Sequence, residues 1–212
     1  MKWLSMIMAP VFIMSINAFC QTEWKLDKAH SSVKFEAEHV VVVSEANEPD
    51  EDKFYTMGVT EGHFKVFDVS MVMNEEDLSS MQVEARIDVN SVDTDNGPRD
   101  SHLRSKDFFY ADQYPEVVFK SQSVEKMGKD TYKVVGTLTM RGITKPLEME
   151  VTALEIPQEK GKENYISITA SGMLNRLDFG LRWNDMIENG VFRVSNYVKL
   201  TIQANFRKVN ES

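Results

Sequence analysis

Residues 81–121 read MQVEARIDVNSVDTDNGPRDSHLRSKDFFYADQYPEVVFKS. The first nine alternate without a fault: Met81, Val83, Ala85, Ile87 and Val89 against Gln82, Glu84, Arg86 and Asp88. A period of two is the pattern of a strand with one buried and one wet face. Then the alternation stops. Asp95, Asn96, Gly97 and Pro98 form a turn signal. Residues 99–106 fit two helical turns, with Asp100 four positions ahead of Arg104, the favourable order for a helical pair. Phe108, Phe109, Tyr110 and Tyr114 follow, and Pro115 ends the interruption before residues 117–121 restart the strand pattern. A long non-strand excursion inside a β protein is usually functional or disordered. This one is too rich in aromatics and short turns for disorder.

The same alternation surrounds it on both sides. Val33, Phe35, Ala37 and His39 stand against Lys34, Glu36 and Glu38, and an apolar run over residues 40–43 extends them. Gly62, Phe64 and Val66 are expected on one face of the next strand, His63, Lys65 and Phe67 on the other, with a bend near Asp68. Later inward rows are Tyr132, Val134, Gly136, Leu138 and Met140; then Leu147, Met149, Val151 and Ala153. Ile166, Ile168, Ala170, Gly172 and Leu174 form another, and Val198, Leu200, Ile202, Ala204 and Phe206 the last. A second excursion over residues 175–190 holds Arg176, Asp178, Phe179, Arg182 and Trp183. The expectation is an all-β antiparallel barrel of about eight strands with one short helical excursion, since short connections favour antiparallel neighbours and closure removes sheet edges. A barrel of that size is either filled by side chains or holds one ligand. Small inward residues (Ala85, Gly136, Ala170, Gly172, Ala204) beside flexible ones (Met71, Met73, Met140, Met149) favour a cavity.

Residues 1–20 read as an export leader: Lys2, an apolar core from Leu4 to Ile16, and small Ala18 and Cys20 ahead of a cut before Gln21. The apolar run is short for a membrane span. Plain cleavage after Cys20 is favoured over lipid attachment to it, because Phe19 stands where a lipoprotein signal wants a small residue. The expected location is therefore periplasmic or secreted, with residues 21–212 as one domain. The mature chain then lacks cysteine and needs no disulfide; its length is ample for a full core. With 24 basic and 33 acidic residues, net −9, the whole chain has no basic excess to bind nucleic acid or an anionic membrane. A homodimer is compatible with the sequence.

No Gly-x-Ser-x-Gly elbow, zinc-type His or Cys spacing, or phosphate-cradling glycine loop occurs. No catalytic residue, metal or cofactor is therefore assigned. The acidic loop at residues 44–53 lacks the ligand spacing of a calcium loop and reads as solvated. His39 sits on an inward row, as a core or cavity-lining side chain. His102, with Asp100 and Asp107 nearby, is an acid–base candidate; ion pairing among Arg99, Asp100 and Arg104 is the plainer reading of the cluster. Arg99, His102, Arg104 and Lys106 beside Phe108 and Phe109 suit the mouth of an apolar pocket. Equally, the two phenylalanines can plug a barrel end while the charges face water.

Three runs resemble the signature of the YceI-like family: Ser91 to Thr94, RDSHLRSKDFF at 99–109, and Tyr114-Pro115 with Phe119, Lys120 and Ser121. So do residues 136–140, residues 142–146, the Asp178, Phe179, Gly180 triplet after an arginine, and the opening at Trp24 to Asp27, Ala29 to Ser31 and Phe35 to His39. The resemblance implies an exported, lipocalin-like barrel enclosing a long apolar ligand, a polyisoprenoid or fatty-acid-like amphiphile. It brings no catalytic residues. Cavity or rim candidates are then Phe35, His39, Phe64, Arg99, His102, Arg104, Phe108, Phe109, Phe119, Leu138, Met140 and Phe179. The sequence departs from the family pattern in the long acidic segment at 44–53, in Arg141 where His is common, and in residues 183–196 before the last strand. Two other functions fit the residues: an enzyme using His102 with Asp100, and a barrel whose acidic loop docks a basic partner.

Overall fold

A computed structural model describes residues 21–44, 52–74, 77–156, 164–183 and 192–209. The leader at 1–20 and most of the acidic loop lie outside the described residues. Among the described residues eleven strands form one sheet: β1 (Gln21–Leu26), β2 (Ser32–Ser44), β3 (Asp52–Phe64), β4 (Phe67–Asn74), β5 (Gln82–Asp88) and β6 (Val92–Asp93) come first. After helix α1 (Gly97–Arg104) come β7 (Glu116–Lys126), β8 (Thr131–Met140), β9 (Ile143–Ile156), β10 (Tyr165–Asn175) and β11 (Phe192–Lys208). All pairings are antiparallel, and β1 bonds both β4 and β11, which closes the sheet into a barrel.

The ring has eight staves because three of them are bent strand pairs. The register of β1 on β11 (Leu26 opposite Phe206) continues as β2 on β11 (Ser32 opposite Gln203). Likewise β4 lies on β1 and β3 on β2, and β5 lies on β4 and β6 on β3. The corners are made by aspartates. Asp27 accepts from Ala29 N and Asp88 from Asn90 N, each capping a single 3-10 turn. A serine then closes each turn: Ser31 Oγ donates to Asp27 O and Ser91 Oγ to Asp88 O. Short polar side chains favour such local bonds over the ladder.

The middle stave bends two residues before the expected point. Lys65 N donates to Ser91 O and Val66 N to Ser91 Oγ, so the backbone turns at 65–66 rather than at Asp68. The turn resets the faces. Val66 points outward, 56% exposed, and Phe67 packs against the core, the reverse of the alternation read through them.

One end of the barrel is packed solid. Trp24, Leu26, Met71, Met73, Ile166 and Phe206 are buried there, Met71 completely. The other end is covered by α1, by the turns at 105–114 and by the 3-10 turn Arg176–Phe179. Asn96 starts α1 by accepting from Arg99 N, with Pro98 in its first turn.

Candidate functional site

The inward rows are not all equally buried. On β8 and β9 the inward apolar side chains, among them Val134, Leu138, Met140, Leu147, Met149 and Val151, are buried. On β5 and β11, Val83, Ala85, Ile87, Val198, Leu200 and Ile202 face inward yet remain partly accessible. Side chains that point into a closed barrel and still meet solvent-sized space line a hollow. That hollow has a volume of about 520 Å³. Its wall is apolar almost throughout, running from Met81, Val151 and Phe206 at the packed end to α1 at the other.

The polar lining gathers at the α1 end. His39 Nε2 shares a 3.0 Å hydrogen bond with Thr60 Oγ1. Arg99 Nη1 donates to the same hydroxyl at 3.4 Å, Nε to Thr94 Oγ1 at 2.7 Å and Nη2 to Thr94 O at 2.7 Å. Burial, and then the Arg99 charge, hold the His39 imidazole below its ordinary pKa. His102, one turn along α1, meets Phe108 and Trp183 edge-on at 5.1 and 5.0 Å. Phe109 packs edge-on against Phe64, which lies beside Phe35.

Ten of the twelve candidate residues line this cavity: Phe35, His39, Phe64, Arg99, His102, Phe108, Phe109, Phe119, Leu138 and Met140. Two do not. Arg104 turns away to Val92 O and Ser101 Oγ. Phe179 is buried in the core beneath the end turn. Phe108 and Phe109 roof the hollow, while Lys106 is exposed and off the lining.

Among the described residues the ion pairs expected of Arg99, Asp100 and Arg104 do not form, and Asp100 does not meet His102 as the alternative enzyme reading would have it. Asp100 is 7% exposed and accepts from Thr94 N and Thr94 Oγ1, at 2.9 and 2.6 Å. It is therefore spent on fixing the loop ahead of the helix rather than on Arg104 or His102. His102 Nε2 lies 3.2 Å from Asp107 Oδ2 instead, at a half-exposed position.

Beyond the candidate set, Thr60 and the inward apolar rows also line the cavity, and three further residues shape its mouth. Trp183 walls the mouth beside His102. Arg176, 3% exposed, donates to the carbonyl oxygens of Leu181, Trp183, Val194 and Ser195. Arg141 Nη1 bonds Phe108 O and Gly180 O, tying the two excursions together over the barrel end. Among the described residues no group of His, Cys, Asp and Glu would hold a metal, and no helix is long and apolar enough to cross a membrane.

Comparison with known proteins agrees with this fold. The model of the YceI-like domain matches residues 24–206. A UPF0312 protein of Staphylococcus aureus is 30% identical over 186 residues, 87% of this chain and 97% of that one. Among solved structures, the YCEI protein of Campylobacter jejuni superposes with a TM-score of 0.65 at 24% identity, over 76% of this chain and 91% of its own. BcnA of Burkholderia cenocepacia gives 0.64 at 22% identity, over 85% and 99%. A polyisoprenoid binding domain from Saccharophagus degradans, implicated in plant cell wall breakdown, gives 0.58 at 15% identity, over 90% and 99%.

Proposed function

The chain belongs to the YceI-like family, and from that premise we propose that it is an exported binding protein that encloses the tail of a long-chain amphiphile, a polyisoprenoid or fatty-acid-like lipid, in its barrel. The observation that carries the reading is the hollow itself: about 520 Å³, apolar along its length, with its polar groups gathered at one end. That is the shape of a site for a molecule with one long apolar part and one polar end. Each methylene moved from water into such a wall contributes about 0.8 kcal/mol, partly offset by the lost freedom of ligand and protein. A fold-mate of this barrel is a polyisoprenoid binding domain, which supports the ligand class. Export rests on the leader-like residues 1–20. Binding rather than turnover is favoured because Asp100, the partner an enzyme reading would give His102, is held by Thr94, and the carboxylate that His102 does meet, Asp107, sits half-exposed.

Native mass spectrometry of gently purified protein tests it. We expect a polypeptide starting at Gln21 with a bound lipid mass that organic extraction removes. Protein that carries no such mass, and takes up no added long-chain amphiphile after extraction, overturns the reading.

A further inference from the structure

The chain carries 33 acidic against 24 basic residues, yet among the described residues no Asp or Glu lines the cavity, and the two permanently charged lining residues are Arg99 and Arg176. Neither is bonded to a carboxylate among the described residues. Arg176 is buried and spends its donors on four carbonyl oxygens. Arg99 bonds Thr94 twice and Thr60 once. Asp100 is linked to it through the shared Thr94 hydroxyl. A guanidinium has five N–H donors and cannot lose its charge in a protein. Arg99 thus keeps two N–H groups beyond its three bonds, at the one polar end of an apolar hollow. Charge interactions there are stronger than in water, and a planar guanidinium suits an oxyanion.

We propose that the mouth selects amphiphiles with an anionic head group, a carboxylate or a phosphate, received by Arg99 with Arg176 as a second fixed positive charge in the wall. His39, kept neutral beside Arg99, leaves the guanidinium as the receiving charge near neutral pH. The proposal rests on the binding reading above and deepens it by naming the head-group chemistry.

The test is calorimetric titration of lipid-extracted protein, near pH 7, with four probes of one tail: dodecanoate, dodecyl phosphate, dodecanol and dodecyltrimethylammonium. We expect both anions to bind at least about tenfold tighter than the alcohol, and the tighter of the two to assign the source as carboxylate or phosphate. Arg99→Gln keeps a donor for Thr94 and should bring the anions to within about twofold of the alcohol. Should that variant fail to fold, as judged by circular dichroism, the native protein decides: the anion preference should shrink between about 50 and about 500 mM salt. An alcohol or ammonium probe that binds as tightly as the anions overturns the proposal and leaves the binding reading standing. An anion preference that Arg99→Gln leaves intact, or that salt does not weaken, also overturns it. Failure of all four probes to bind overturns the binding reading itself.

Discussion

His39 shows what the site does to a single side chain. Its imidazole bonds Thr60, faces the Arg99 charge and is partly withdrawn from water, and its pKa is lowered as a result, burial being the larger cause. A base whose pKa is lowered on folding binds protons more readily in the unfolded chain. Its contribution is therefore unchanged above the unfolded value of about 6.5 and becomes a loss of stability as the pH falls below it. His39→Gln keeps a polar group for Thr60 and removes the titration. We expect its urea midpoint to fall less than the native one between pH values of about 7 and about 5; an equal fall in both proteins would assign the acid sensitivity elsewhere. At this scale the sequence was informative where one contiguous run supplied the residues. Arg99, His102, Phe108 and Phe109 lie within eleven positions, and all four reach the cavity. Arg141 and Arg176 escaped because their partners are backbone carbonyls, up to 39 positions away in the case of Arg141, and a carbonyl leaves no mark in a sequence.

At the scale of elements, the period-two rows identified strands well and corners poorly. Val66 and Phe67 are both apolar, so either fits an inward row, and the bend between the two halves of the stave is set by Ser91, which is remote in the chain. The helix was legible because Asn96, Gly97 and Pro98 mark its start. The cover over the open end is an assembly of such pieces, and Arg141 is the tie between them. Arg141→Ala would leave the carbonyl oxygens of Phe108 and Gly180 without this donor. An unsatisfied buried polar group costs about 1–3 kcal/mol, so a loss of that size in urea denaturation is expected. Hydrogen exchange should also quicken in residues 105–111 and 176–183 while the β8–β9 ladder stays protected. A uniform rise in exchange across the barrel would mean that Arg141 supports the whole fold rather than its lid.

For the whole molecule the question is why a barrel with one packed end has a hollow middle. The small residues of the inward rows are only part of the answer. Gly136 and Gly62 are not empty positions: a Cβ at Gly136 would clash with the ring of Phe119 and the carbonyl oxygen of Lys120, and one at Gly62 with the ring of Phe35. These glycines seat aromatic rings against the wall. The space lies instead in front of β5 and β11, where Ala85 and its neighbours remain accessible. No row of letters shows that, because it depends on the width at which the staves close. The difference between the two regions can be measured with opposite substitutions. Adding bulk to a packed interior costs about 1–3 kcal/mol, but bulk added to a hollow removes apolar surface from water and costs little. Ala85→Leu should therefore leave the urea midpoint of the extracted protein unchanged or higher, and should reduce the bound lipid seen by native mass spectrometry. Met71→Ala, at a fully buried position of the packed end, should lose about 2–5 kcal/mol and still bind lipid when folded. If Ala85→Leu destabilises as an overpacked core does, the interior is filled in solution and the barrel has no room for a tail.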